Sequence, residues 1–292
     1  MRFVHRVLSA SRASGFTGVP ELAKTEGGET VLGLAGRLYD AQEWLAGEPL
    51  SRTRADEGPT PNMVMSLSPA RIADLAATLA RFHRSTAHLS AASGNDTSAL
   101  SLRLARATEV VAARYEALSI EAKSTAEGEE RSVALRWLEL LPGAVEAARE
   151  ASEMLPEAGP EDYVVCHGDL WPAHVHFDGG TFVGFTDFES VCFASPVLDL
   201  AQLALHFGGW GTQQYVLRSY ETVASLAGRD RFALPVEAVV DLAAEGYWSL
   251  EALYGNASSR TTSAQRATHV INLRELVGSL ELIAAEMRRL GG

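Results

Sequence analysis

The sequence predicts an α+β chain, with a few antiparallel strands near its start and a large, mainly helical body interrupted by one acidic loop and a β-hairpin. Three observations carry that expectation. Residues 29–35 and 37–45 alternate with period two, with Gly36 as the turn between them and Gly27-Gly28 opening the pair. Apolar residues recur at helical spacing through most of the chain beyond residue 68. Between 163 and 189 that spacing breaks into short apolar runs around Asp178-Gly179-Gly180, where glycine tolerates the positive φ of a tight hairpin.

In chain order, residues 3–13 suit a helix that Gly15 to Pro20 breaks. Residues 45–50 and the polar run 51–61 read as a connection, so residues 1–50 are expected as a partial N-terminal lobe and 51–292 as a helical C-terminal lobe. Ser68-Pro69 marks a helix start, with Ile72, Leu75, Ala76, Leu79 and Phe82 as its buried face. Helices follow over about 101–119 and 132–154, with the charged segment 121–131 expected as a solvated loop. Gly159-Pro160 closes this block. Val164 to Cys166 then reads as a buried strand, and 175–177 with 181–185 as the hairpin. Helices over 199–207, 213–226, 236–254 and 264–290 complete the chain, which contains no internal repeat.

Composition narrows the partners. A length of 292 residues with 47% hydrophobic content supports a large core. A net charge of −12 without a basic stripe argues against nucleic acid or an anionic membrane and for a small-molecule partner. No apolar run approaches the roughly 20 residues of a membrane-spanning helix, and the first residues lack the apolar core of a signal peptide. Cys166 and Cys192 are too few for a disulfide scaffold, so free thiols and a cytoplasmic location are expected.

The chemistry concentrates in Asp169, within Tyr163-Val-Val-Cys-His-Gly-Asp-Leu-Trp-Pro-Ala-His174, and Asp187, within Gly184-Phe-Thr-Asp-Phe-Glu189. Phosphoryl transfer needs one carboxylate at the attacking hydroxyl and another holding a divalent ion against the phosphates, and the hairpin between these two would bring them to one end. No Ser-His pair or Gly-x-Ser-x-Gly motif accompanies Asp169 to support a hydrolase.

His167-Gly168-Asp169-Leu170, Val183 to Glu189 and Pro196-Val-Leu-Asp199-Leu-Ala201 together resemble the aminoglycoside phosphotransferase and choline kinase family, which has a protein-kinase-like fold. Weaker likeness runs through 39–47 as a hinge and through Leu79-Ala-Arg-Phe-His-Arg84. The resemblance implies a kinase-like fold with a truncated small lobe, and ATP-dependent phosphorylation of a hydroxyl on a small molecule such as an aminoglycoside-like or amino-alcohol metabolite. It implies Asp169 as the catalytic carboxylate with His167 supporting its loop, Asp187 and His174 at Mg²⁺ or Mn²⁺, and Glu43, Trp44 and Leu45 beside the nucleotide. Trp171, Asp199, Trp248 and Glu251 are the corresponding substrate or structural candidates, with Asp199 expected to cap its helix and, by the resemblance, also to brace the catalytic loop.

Two departures stand out. His174 falls where the family usually places an Asn ligand; either its imidazole binds the ion and shifts affinity from Mg²⁺ towards Mn²⁺ or Zn²⁺, or it only hydrogen-bonds Asp169 or Asp187. Strand alternation would put the His174 and His176 rings on one face, but a zinc site there lacks a further ligand. The glycine-rich strand pair and strand lysine of a kinase-like small lobe are also not visible, since Gly27-Gly28 and Lys24 read as turn residues. A shortened gene model, or a short form with weak nucleotide binding, is the expectation there. The alternative is a kinase-like binding protein that transfers no phosphate.

Overall fold

The first helix, α1 (Arg2–Ala13), presents Val7, Leu8 and Ala10 to the core and leaves Arg2 and Arg6 exposed. The structure, a computed structural model, describes residues 2–50, 67–89, 99–125, 127–156, 158–159, 162–255 and 258–290. The connection expected over 51–61 lies outside the described residues. β1 (Leu32–Leu34) and β2 (Arg37–Tyr39) form an antiparallel hairpin that pairs Leu32 with Tyr39, shorter than the alternating pattern suggested. Beyond β2 the chain instead runs antiparallel to 21–23, through a bridge between Leu22 and Gln42 and a hydrogen bond from Glu43 N–H to Glu21 O. Gly27 and Gly28 lie in the turn between, as their composition implied, whereas Lys24 precedes that turn in irregular chain.

A strand that sequence reading missed, β3 (Glu48–Pro49), joins the central hairpin of β5 (Val175–Asp178) and β6 (Thr181–Phe185) in the order β3-β5-β6. Two residues are too few to show a period. Gly47, at φ 76°, makes the approach possible, because a Cβ there would stand 2.4 Å from the Phe177 carbonyl oxygen. A second antiparallel pair, β4 (Val164–Cys166) with β7 (Cys192–Ala194), flanks the hairpin in sequence.

α2 (Pro69–Ser85) starts as expected, with the Ser68 hydroxyl accepting from Arg71 N–H and the face of Ile72, Leu75, Ala76, Leu79 and Phe82 buried. The loop expected over 121–131 is mostly helical, since α3 (Leu100–Ser124) and α4 (Glu129–Met154) almost meet. Glu and Lys are good helix formers, and the buried Leu118 and Ala122 hold that charged run on the outer face of α3.

α5 (Val197–Gly208) is buried along nearly its whole length, against α2, α6 (Gln213–Glu221) and α7 (Gly228–Tyr254). α7 starts well before the expected Val236, because Pro235 sits inside the helix and Asp230 accepts the Ala227 N–H at 2.9 Å to secure its first turn. α8 (Ser263–Leu290) packs along α4 and α7. Among the described residues no helix is long and apolar enough to cross a membrane.

Candidate active site

The loop after β4 turns at Gly168, whose φ is 82°. A Cβ there would stand 2.4 Å from the Ser190 carbonyl oxygen, so only glycine lets the loop lie against the segment that follows Asp187. Two side chains one turn apart on α5 then fix the loop. Asp199 accepts His167 N–H at 2.7 Å and Gly168 N–H at 2.9 Å. Gln202 accepts Leu170 N–H at 2.8 Å and donates to Gly168 O at 3.3 Å. Asp199 is therefore not the cap of its own helix. Pro196 occupies that position, and the carboxylate reaches across to satisfy the loop instead.

Asp199 is fully buried, and His83 Nε2 stands 3.1 Å from the same carboxylate while His83 Nδ1 meets the Tyr220 hydroxyl at 2.8 Å. Burial alone would raise the Asp199 pKa. The His83 hydrogen bond, the neighbouring imidazoles and the Gly168 N–H outweigh it and hold the carboxyl below its ordinary value. His83, Asp199 and Cys166 lie close enough together to suggest a metal site. They do not fit one: both His83 nitrogens and both Asp199 oxygens are already bonded within the chain.

His167 is buried and serves the same loop. The Asp169 N–H donates to its Nδ1 at 3.3 Å, so Nε2 carries the proton and meets Thr186 O at 2.8 Å. Burial lowers its pKa, which favours this neutral form.

His174 lies in a 3-10 turn (Pro172–His174) before β5, so strand alternation does not relate it to His176. Its Nδ1 is 2.8 Å from the backbone oxygen of Asp169, which requires that nitrogen to donate. The same ring lies between the two acids, with Nδ1 3.6 Å from Asp169 Oδ2 and Nε2 3.3 Å from Asp187 Oδ2. The carboxylates are nearly half-exposed, at 44% and 47%, while the His174 side chain is 11% exposed. Trp171 meets the His174 ring edge-on at 4.9 Å.

Asp187 adopts a left-handed conformation (φ 60°, ψ 65°), which costs a non-glycine residue on the order of 1 kcal/mol or more. The flanking residues hold it there: Thr186 N–H donates to His174 O at 2.9 Å, and Phe188 is buried against Phe82 and His167.

The other sequence candidates are placed differently. Glu43 pairs with Arg12 and accepts Glu21 N–H, Trp44 is 89% exposed, and Leu45 is buried against Gly184 of β6. Glu251 is engaged by Arg114 and the Tyr247 hydroxyl, and the Trp248 ring faces His269. Among the described residues, no hydrogen bond, ion pair or ring contact joins Trp248 or Glu251 to the Asp169 group.

Sequence reading also missed two acids on α7. Asp241 accepts from Gln202 at 3.1 Å and lies 2.9 Å from His206 Nε2. Glu245, one turn further on, is raised to about 8 by burial first and then by the charges of Asp241 and Asp169, against the opposing influence of His206. Their spacing of four on one helix was the available signal, but nothing local ties that face to Asp169.

The sequence matches the phosphotransferase enzyme family over residues 1–234. No curated protein matches it. Solved structures similar to it include an aminoglycoside phosphotransferase from Alicyclobacillus acidocaldarius subsp. acidocaldarius DSM 446, at 19% identity and a TM-score of 0.67, covering 99% of this chain and 82% of that one. A spectinomycin phosphotransferase in complex with ADP and spectinomycin gives 12% identity and 0.65, covering 97% and 82%. A microcompartment-associated aminopropanol kinase gives 16% and 0.55, covering 98% and 82%. The likeness in fold thus extends far beyond the loop around Asp169, and with most of its length matched the chain belongs to the phosphotransferase enzyme family.

Proposed function

We propose that the protein transfers the γ-phosphoryl group of ATP to a hydroxyl of a small cationic acceptor, an amino sugar or an amino alcohol. The observation that carries this reading is the approach of Asp169 and Asp187 to the two nitrogens of one imidazole, with both carboxylates open to solvent. Asp169 orients the acceptor hydroxyl and takes its proton as oxygen bonds to phosphorus and the bridging oxygen leaves with ADP. His167, Asp199 and Gln202 are positioning residues, acting on the backbone that carries Asp169.

The donor set suits a divalent ion. With Nδ1 of His174 donating to Asp169 O, neutral His174 turns an unprotonated Nε2 towards Asp187, so one nitrogen and one carboxylate oxygen face the same space. Mg²⁺ or Mn²⁺ held by Asp187 and His174 would neutralise charge on the phosphates. The hinge of Glu43, Trp44 and Leu45 borders the nucleotide in this reading, with residues 1–50 as the small lobe and 51–292 as the acceptor-bearing lobe.

Glu245, whose charge is felt at Asp169, adds to the acidic surroundings that suit a cationic acceptor. The ADP and spectinomycin bound by one structural neighbour, and the aminopropanol kinase named for another, fit this class. The composition suits a cytoplasmic enzyme.

A panel of amino alcohols and amino sugars, assayed by ADP release with Mg²⁺ or Mn²⁺, tests the reading. Turnover that Asp169→Asn abolishes is the expected result. Lys24 and Lys123 are the chain's only lysines, one exposed in irregular chain and the other at the end of α3, which favours a binding protein without transfer as the second reading. No melting-point shift with millimolar ATP and either metal would select it.

A further inference from the structure

Cys166 and Cys192 are free thiols that stand directly opposite each other in the β4–β7 pair. Directly opposed residues of antiparallel strands project from the same face with Cα atoms roughly 4.5–5.5 Å apart, inside the roughly 4.4–6.8 Å window that a disulfide spans. Both side chains pack in one small cluster with Ala194, Leu198 and Val164. The function described above uses neither sulfur.

We propose that Cys166 and Cys192 form an oxidisable dithiol whose closure to a disulfide ties the Asp169 loop to the segment leaving the Asp187 turn. The two thiols are unequal. Cys166 is fully buried, burial pushes its thiol pKa up, and its S–H points at Ser195 O, 3.4 Å away. Cys192 is only partly buried and is the sulfur that an oxidant reaches. The Arg103 guanidinium, paired with Glu237, lies within electrostatic reach of both sulfurs.

With hydrogen peroxide as oxidant, the Cys192 thiolate attacks the O–O bond. An S–O bond forms, the O–O bond breaks, and hydroxide leaves to become water with the proton the thiol released. The Cys166 sulfur then displaces the hydroxyl from Cys192. The S–S bond forms, the S–O bond breaks, and the Cys166 proton departs with hydroxide as a second water. Two thiols are oxidised by two electrons in all and one peroxide is reduced; a small dithiol reverses the change.

The position of the bond gives it a consequence. Cys166 immediately precedes His167, and Ser190, two residues before Cys192, is the residue whose carbonyl abuts Gly168. Closure swings the Cys166 sulfur away from Ser195 O and pulls on the loop that Asp199 clamps. Turnover in the oxidised form is therefore lower, a consequence that rests on the phosphotransferase reading.

The test exposes the folded full-length chain to dilute peroxide, counts thiols after denaturation and maps peptides without reduction. Both thiols should disappear together, one intramolecular link should join the peptides carrying 166 and 192, and dithiothreitol should restore both. Cys192→Ser should leave the Cys166 thiol titratable after the same exposure. Cys192 oxidised while Cys166 stays free, or a link between two chains, overturns the proposal. Thiol counting needs no turnover, so a protein inactive on every acceptor would count against the phosphotransferase reading and leave this test intact.

Discussion

Asp169 and Asp187 approach opposite nitrogens of a single imidazole, that of His174, although a whole hairpin separates them in sequence. The ring therefore spaces the acids and sets its Nε2 beside Asp187. From that relationship the roles of the three side chains can be separated by substitution.

Asp169→Asn keeps the shape and removes the base. We expect ADP release to fall by about 10²- to 10⁴-fold, the usual worth of a general base. Because the carboxylate is 44% exposed and stands 3.6 Å from the His174 ring, the melting temperature should barely move. Activity retained within a few-fold would remove Asp169 from the chemistry.

His174→Asn replaces the nitrogen donor with an amide oxygen. The ratio of activity with Mn²⁺ to activity with Mg²⁺ should drop relative to the native protein, since Mg²⁺ prefers oxygen ligands. Titrating both metals against each protein measures this, and an unchanged ratio means that His174 is not a ligand.

Gly168→Ala tests the close approach of the loop. A Cβ would meet the Ser190 carbonyl at 2.4 Å in a conformation with φ 82°, so unfolding in urea should show a loss of about 2 kcal/mol or more. A neutral substitution would mean that the loop lies elsewhere.

Glu245 sets a pH dependence whose sign follows from its raised pKa. Above an unfolded value near 4.3 the unfolded chain releases this proton first, and the folded chain keeps it up to about pH 8. The stability it contributes is full below about pH 4 and is lost as pH rises towards 8. Glu245→Gln removes that loss, so the melting temperature of the variant should gain on the native protein between pH 5 and 8. Parallel curves over that range would place Glu245 in a less burdened environment.

The depressed Asp199 carboxyl acts in the opposite sense. Its stabilisation is present above an unfolded pKa near 3.9 and is lost as pH falls through its lower folded value. Native protein should therefore show an acid-side loss of stability below about pH 4 that Asp199→Asn lacks, measurable by thermal melts in acidic buffers.

The sequence by itself determined the elements whose signals are local: the Ser68-Pro69 start of α2, the turn at Asp178-Gly179-Gly180, and the two acids on either side of that hairpin. Neighbouring residues carry those signals, through cap chemistry, glycine's freedom of φ, and period. Only the tertiary structure decided that Asp199 serves the loop without capping its own helix and that His83 holds it there, since those partners lie on the His167 loop and on α2, far away in the chain. The same is true of β3, of the helical run where charges suggested a loop, and of Glu245 beside Asp169. Burial and charge pairing at a distance arise once α5 packs against α2, α6 and α7, and no local pattern encodes them.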